Sequence, residues 1–302
     1  MLKDLVTKCR TYRRFYQEVS ISAEELQEFI DLARLTASTA NSQALKFHIS
    51  NTPEENTLIF NTLGWAGALP DWDGPEEGER PSAYIVILCD LSLGKNKLTD
   101  DGIAAQTIML GAVEKGYGGC MLGNVRRSQL AESLGIDPSL YSIDLARLTA
   151  STANSQALKF HISNTPEENA LIFNTLGWAG ALPDWDGPEE GERPSAYIVI
   201  LCDLSLGKNK LTDDGIAAQT IMLGALEKGY GGCMLGNVRR SQLAESLGID
   251  PALYSIDLVL ALGKPKEEVV IVPMKEDGNV RYYRDENQIH YVPKRELKDI
   301  II

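Results

Sequence analysis

The sequence predicts an α+β fold, a central mixed sheet flanked by helices, and predicts it nearly twice within one chain. Three observations carry this. Residues 32–144 recur as residues 145–257 at a constant offset of 113, with only three differences: Thr57/Ala170, Val113/Leu226 and Ser139/Ala252. Continuous apolar runs, Ala-Tyr-Ile-Val-Ile-Leu at 83–88 and Leu-Val-Leu-Ala-Leu-Gly at 258–263, have the composition of strands covered on both faces. Between such runs lie segments with helix-start and helix-stop chemistry.

The elements follow in order. Residues 1–9 read as a short helix. Ser22-Ala23-Glu24-Glu25 is a capping box that opens a helix to about Leu35. Residues 46–50 read as a strand, and Thr52-Pro53-Glu54-Glu55 caps the next helix with Pro53 at its first position. Residues 69–82 form a loop rich in Pro, Gly and acids. The strand at 83–88 precedes a helix over 100–115, ended by Gly116. A short strand at 119–122 and a helix at 127–134 complete the unit. The strand at 258–263 and a polar tail from 266 with strand-like pieces follow the second copy.

Internal repetition sets the domain organisation. Ile-Asp-Leu stands at 30–32, 143–145 and 256–258, and a crossover at that shared stretch produces the duplication. Removing one copy leaves 302 − 113 = 189 residues, a normal single-domain length. The expected lobes are residues 1–144 and 145–302, paired as a pseudo-dimer. The helix 100–115 and its twin 213–228 are rich in Ala and Gly, which allows close approach, so the contact between lobes is expected there; an ordinary core helix is the alternative. One junction differs between copies. After Asp257 the chain enters an apolar strand, whereas after Asp144 it enters Leu-Ala-Arg-Leu-Thr-Ala. An arginine has no place in a doubly covered strand. Asp137-Pro138 is therefore expected to cap a helix running through Leu140, Ile143 and Leu148.

Composition narrows the function. The net charge of −13 is repelled by nucleic acid phosphates. No apolar run reaches membrane-spanning length, and the amino end lacks a signal-peptide core, so a cytoplasmic location is expected. Five cysteines (Cys9, Cys89, Cys120, Cys202 and Cys233) form no CxxC, and with three histidines a zinc site is not expected. No Walker A, G-x-S-x-G or H-E-x-x-H motif is present, and Gly116-Tyr117-Gly118-Gly119 follows a helix rather than a strand.

Three segments carry positive signals. Arg10-Thr11-Tyr12-Arg13-Arg14-Phe15 places three arginines within five residues of a strongly acidic chain. The guanidinium fork suits phosphate, although such a cluster alone is more often a solvated patch. Ala37-Ser38-Thr39-Ala40-Asn41-Ser42-Gln43, repeated at 150–156, is a run of hydroxyl and amide groups that alone reads as a turn. Residues 116–124 are Gly-rich, which lets a flat ligand approach the backbone.

In this order and spacing, the three segments resemble the FMN-dependent nitroreductase family. Its pattern is an Arg-Arg-Ser-x-Arg-x-Phe stretch, then Pro-Ser-x-x-Asn-x-Gln-Pro-Trp, then a helix leading into a Gly-rich strand. Here Cys9 stands for an Arg, and Ala44-Leu45 for Pro-Trp. The resemblance implies a homodimeric fold with FMN at the subunit interface and NAD(P)H as transient electron donor. The acceptors would be small molecules such as nitroaromatics or quinones. It further implies that Arg10, Thr11 and Arg13 hold the phosphate and pyrimidine end. Ser38 and Asn41, or Ser151 and Asn154, reach the flavin from the opposite lobe. Met121, Leu122 and Gly123 line the ring near N5, and Arg284 or Arg295 adds a phosphate contact. No side chain is expected to act as nucleophile, because the flavin does the chemistry. Trp65 and Trp72, with twins Trp178 and Trp185, either wall the substrate or pack beneath a loop. His48 and His161 are expected to be structural, and His290 is unassigned.

The duplication unbalances this site. The chain has one arginine segment and one tail but two Ser/Asn segments. The expectation is one complete site per chain, from Arg10, Arg13, the first Gly-rich strand and Ser151/Asn154. A dimer of chains that exchange tails is the rival arrangement. The competing functional reading is a flavin-binding but catalytically impaired duplicated protein.

Overall fold

The structure, a computed structural model, describes residues 1–65, 72–93, 99–145, 155–178, 185–206 and 212–302. The first copy and its amino-terminal extension contain α1 (Leu2–Lys8), α2 (Ala23–Leu35), β1 (Leu45–Ser50), α3 (Pro53–Phe60), β2 (Leu63–Gly64) and β3 (Tyr84–Asp90). They continue with α4 (Thr99–Glu114), β4 (Asn124–Val125), α5 (Arg127–Leu134) and β5 (Tyr141–Leu145). The second copy contains β6 (Leu158–Ser163), α6 (Pro166–Phe173), β7 (Ala196–Asp203), α7 (Thr212–Glu227), β8 (Gly231–Leu235), α8 (Arg240–Leu247) and β9 (Tyr254–Gly263). The tail adds β10 (Val269–Pro273), β11 (Tyr283–Arg284) and β12 (His290–Lys294).

Local chemistry sets these boundaries as expected. Ser22 and Glu25 form the reciprocal capping box of α2. Thr52 and Thr165 cap α3 and α6 through the backbone N–H groups of Glu55 and Glu168. Gly116 takes a φ of 87° beyond the end of α4, a conformation that favours glycine.

In the first copy β3 is central. β1 lies antiparallel on one side, from Leu45↔Cys89 to Ser50↔Tyr84. β5 lies antiparallel on the other, but only from Ile87↔Leu145 to Asp90↔Tyr141. The end of the chain closes the free edge of β1. The Phe47 N–H donates to the Ile300 carbonyl at 2.7 Å, and the Ile302 N–H donates to the Phe47 carbonyl at 2.9 Å, in a parallel bridge. In the second copy the order is β6-β7-β9-β8, antiparallel throughout. There β9 runs the full length of β7, from Ala196↔Leu262 to Asp203↔Tyr254. Among the described residues no helix is long and apolar enough to cross a membrane.

Burial explains the assembly. Leu26, Phe29, Ile30 and Ala33 of α2 close over Phe47, Ile87 and the inner face of α4, with Ile300 sealing the end. Tyr197, Val199, Ile200, Val259 and Leu260 are buried where β7 and β9 meet. The two copies meet along α4 and α7. A Cβ on Gly102 would run into the Thr212 carbonyl, and one on Gly215 into the Thr99 carbonyl. Gln106 donates to the Thr220 hydroxyl at 3.3 Å, and Gln219 to the Thr107 hydroxyl at 3.2 Å. The contact is thus reciprocal, the isologous pattern of two equivalent surfaces.

Two expectations are corrected. The helix expected from Asp137-Pro138 does not form, because residues 141–145 are strand β5. Asp137 instead closes a turn, accepting from the Ser139 N–H and hydroxyl. Ile143, only 5% exposed, then pairs opposite Leu88 in the sheet. Burial against a waiting strand edge outweighs the local helix-start signal. Leu148 and Arg147, on which the expectation also rested, lie outside the described residues. The strand expected at 119–122 is present only in the second copy, as β8 at 231–235. In the first copy the segment contributes one isolated bridge, between Thr11 and Gly119.

Candidate functional site

The arginine segment leaves α1 and docks on the Gly-rich segment. The Tyr12 N–H donates to the Gly119 carbonyl at 3.0 Å. Gly118 is needed because a Cβ there would press into the Tyr12 ring. Arg10 is exposed and gives one guanidinium nitrogen to the Val6 carbonyl at 2.9 Å. Arg13 is half-buried and its Nε donates to the Trp65 carbonyl at 2.9 Å. Each fork keeps further N–H groups for an external oxyanion. Arg14 pairs with Glu79 at 3.3 Å on the surface. Met121, Leu122 and Gly123 continue the docked segment and are half-buried. The neighbouring Cys120 thiol is pushed up to about 12 by burial, with Arg13 opposing, so it stays protonated and is no nucleophile.

A second group of expected site residues assembles elsewhere, on the tail. Asn41 is 6% exposed, and its amide donates to the Val280 carbonyl at 2.7 Å and the Pro293 carbonyl at 2.9 Å. The Ser38 hydroxyl accepts from the Gln43 N–H at 3.1 Å. The Gln43 side chain donates to Pro293 and accepts from the Arg295 N–H at 2.8 Å. Ala40, Asn41 and Gln43 have φ of 52°, 55° and 51°, strained for side-chain-bearing residues and held by these bonds. In the first copy, then, the hydroxyl-amide segment is a dock for the tail. Arg295 lies there, its Nε buried without a partner among the described residues. Arg284 is remote in kind, paired with Glu267 at 2.9 Å and 5.8 Å from the Trp185 ring. Ser151 and Asn154 lie outside the described residues.

Sequence reasoning missed two buried lysines at this dock. Lys294 is 4% exposed and donates to the Thr36 carbonyl. Burial pushes its pKa down to about 8, with repulsion from Arg34 adding to it and Asp100 opposing. The Lys46 ammonium donates to the Asp299 carbonyl at 2.6 Å, and its pKa is lowered chiefly by burial. A lysine in an apolar strand was their only sequence signal.

Trp65, His48 and His161 make packing and element-tying contacts. Trp65 is 2% exposed, sits 5.1 Å from Phe60, and occupies the space that a Cβ on Gly74 would need. His48 meets Glu55 at 3.1 Å and His161 meets Glu168 at 3.2 Å, each tying a strand to the following helix. His290 faces Glu267 at 3.3 Å, and burial lowers its pKa.

Comparison with known proteins finds one family that matches part of the chain. The sequence profile of the nitroreductase family matches residues 95–143 and again 208–264, equivalent stretches of the two copies. No curated protein sequence matches the chain. Among solved structures, the chain is similar to a candidate nitroreductase from Desulfovibrio desulfuricans in complex with FMN. The identity is 18% and the TM-score 0.40, over 48% of this chain and 81% of that one. It is also similar to a nitroreductase family protein from Clostridium difficile 630, at 19% identity and TM-score 0.37, over 46% and 78% of the two chains. Over these two stretches, one in each copy, the chain is similar to the nitroreductase family.

Proposed function

We propose that the chain is an FMN-dependent oxidoreductase that takes electrons from NAD(P)H and reduces small acceptors such as nitroaromatics or quinones. The observation that supports this reading is the docking of the arginine segment on Gly119: Arg13 lies near Cys120 of the Gly-rich segment, and the Arg10 and Arg13 forks each keep N–H groups to spare. Arg10, Thr11 and Arg13 would hold the phosphate end of FMN, and Met121, Leu122 and Gly123 would lie along its ring. When bound, FMN supplies the hydride-transfer chemistry; the chain supplies position and electrostatics. Ser151 and Asn154, rather than the tail-bound Ser38 and Asn41, are the Ser/Asn pair left for the flavin. The small-molecule acceptor, the internal pseudo-dimer and the cytoplasmic setting belong to the same proposal.

Flavin titration tests it. One FMN is expected per chain, since residues 1–31 have no second copy; two per chain would refute the one-site arrangement. Arg10→Ala and Arg13→Ala should each weaken FMN binding at least tenfold, the loss of a charge-assisted contact of about 1.5–3 kcal/mol. Loaded protein should be bleached by NAD(P)H and recoloured by a quinone. Loaded protein that NAD(P)H cannot bleach would favour the impaired flavin-binding reading.

A further inference from the structure

The face that α2 covers in the first copy recurs, side chain for side chain, in the second. In the first copy Leu26, Phe29, Ile30 and Ala33 of α2 lie against Phe47 of β1 and against Ile108 and Ala112 of α4. Gly111 lets the two helices come close, because a Cβ there would meet the Leu32 side chain at 2.6 Å and the Phe29 ring at 3.4 Å. Two polar contacts fix one end of the packing: Lys115 pairs with Glu28, and the Tyr117 hydroxyl donates to Glu25 at 3.1 Å. At the offset of 113 the same positions are Phe160, Ile221, Ala225, Gly224, Lys228 and Tyr230. Residues 136–145, which stand at that offset from 23–32 of α2, form no helix; they make the turn at Asp137 and strand β5, paired to β3 in the first copy. Phe160 and Ile162 on β6 are exposed, as are Lys228 and Tyr230 just beyond α7. A Cβ added at Gly224 would meet nothing within 4 Å.

We infer that β6 and the second half of α7 form a helix-acceptor groove, whose ligand is an acidic amphipathic helix presented by a partner protein. The first copy shows the fit. Apolar side chains at the spacing of Leu26, Phe29, Ile30 and Ala33 enter the groove, and carboxylates at the Glu25 and Glu28 positions meet Tyr230 and Lys228. Covering Phe160 and Ile162 supplies the affinity, and the pairing at Lys228 sets the direction in which the helix lies. The chain's own α2 cannot serve both faces, because it occurs once and is seated on the first copy. Flavin binding at the arginine segment is a separate property and is not required.

The probe is a fluorescein-labelled peptide with the sequence of residues 20–36, titrated into the full chain and read by fluorescence anisotropy. Binding should saturate at one peptide per chain. Phe160→Asp, on the exposed face, should leave the far-UV circular dichroism of the chain unchanged and weaken binding by about tenfold or more. Gly224→Leu, which fills the groove from α7, should do the same. Lys228→Glu should weaken binding, and on that variant a peptide carrying Glu28→Lys should regain it. A peptide carrying Phe29→Ser and Ile30→Ser should not bind. Peptide that merely exchanges with the chain's own α2 on Phe47 would be indifferent to Phe160→Asp and Gly224→Leu. That indifference, the absence of saturable binding, or a wild-type chain whose self-association is abolished by Phe160→Asp would overturn the inference.

Discussion

Phe47 and Phe160 occupy the same place in two identical hexapeptides, Leu-Lys-Phe-His-Ile-Ser, yet one is 2% exposed and the other 48%. The reason lies outside the repeat. In the first copy α2 covers β1 and residues 300–302 pair with its edge. The second copy has no equivalent of α2, since residues 1–31 occur once, and the single tail is already engaged. Ile162 is accordingly 68% exposed and Leu226 64%. The deficit runs the other way at the opposite edge of the sheet, where the second copy carries 259–263, a sequence that the first copy does not repeat at 146–150. Each copy thus lacks what the other has kept, and identical sequence ends in different burial.

Substitution at equivalent positions can break or sharpen this comparison. The largest contrast is expected at the phenylalanines. Phe47→Ala should cost about 3–5 kcal/mol in denaturant unfolding, and Phe160→Ala on the order of 0.5 kcal/mol or less. Similar costs at both sites would mean that the second face is covered in solution.

Lys294 comes next, because it exists only at the tail dock of the first copy. Its folded pKa of about 8 is below the unfolded value, so the unfolded chain binds more protons between about pH 8 and 10.4. Stability from this group therefore rises with pH through that window and is lowest below it. The rise amounts to roughly 2–3 kcal/mol from a shift of that size. Lys294→Met should remove it, measured as the difference between wild-type and variant unfolding at pH 7 and pH 10.

A smaller and symmetric effect is expected where the copies meet. Gly102→Ala and Gly215→Ala should each cost about 1–3 kcal/mol, because each new Cβ strikes a carbonyl of the opposite helix or its start. Unequal costs would break the reciprocity of the α4–α7 contact. The smallest effect is at Gly224, where nothing lies within 4 Å of an added Cβ. Gly224→Ala should stabilise by ~0.5–1 kcal/mol through helix propensity alone, read as a small rise in Tm.

The sequence was a good guide wherever local chemistry decided. Capping at Ser22, Thr52 and Thr165 set helix starts, Gly116 set a helix end, and the small residues of 100–115 marked the contact between copies. It failed at 137–145, where a waiting β3 edge turned a helix-start signal into a turn and a strand. For the site, the arginine segment and the Gly-rich segment were legible, and they meet at Gly119. The use of Asn41 was not legible, because Val280 and Pro293 lie about 240–250 residues away along the chain.

By itself the sequence determined the duplication and most of the order of helices and strands. Tertiary structure alone decided which copy receives α2 and the tail. Those choices rest on one-of-a-kind segments competing for two equal surfaces. Identical local propensities cannot distinguish such surfaces; only apolar burial and backbone pairing between residues distant in the chain can.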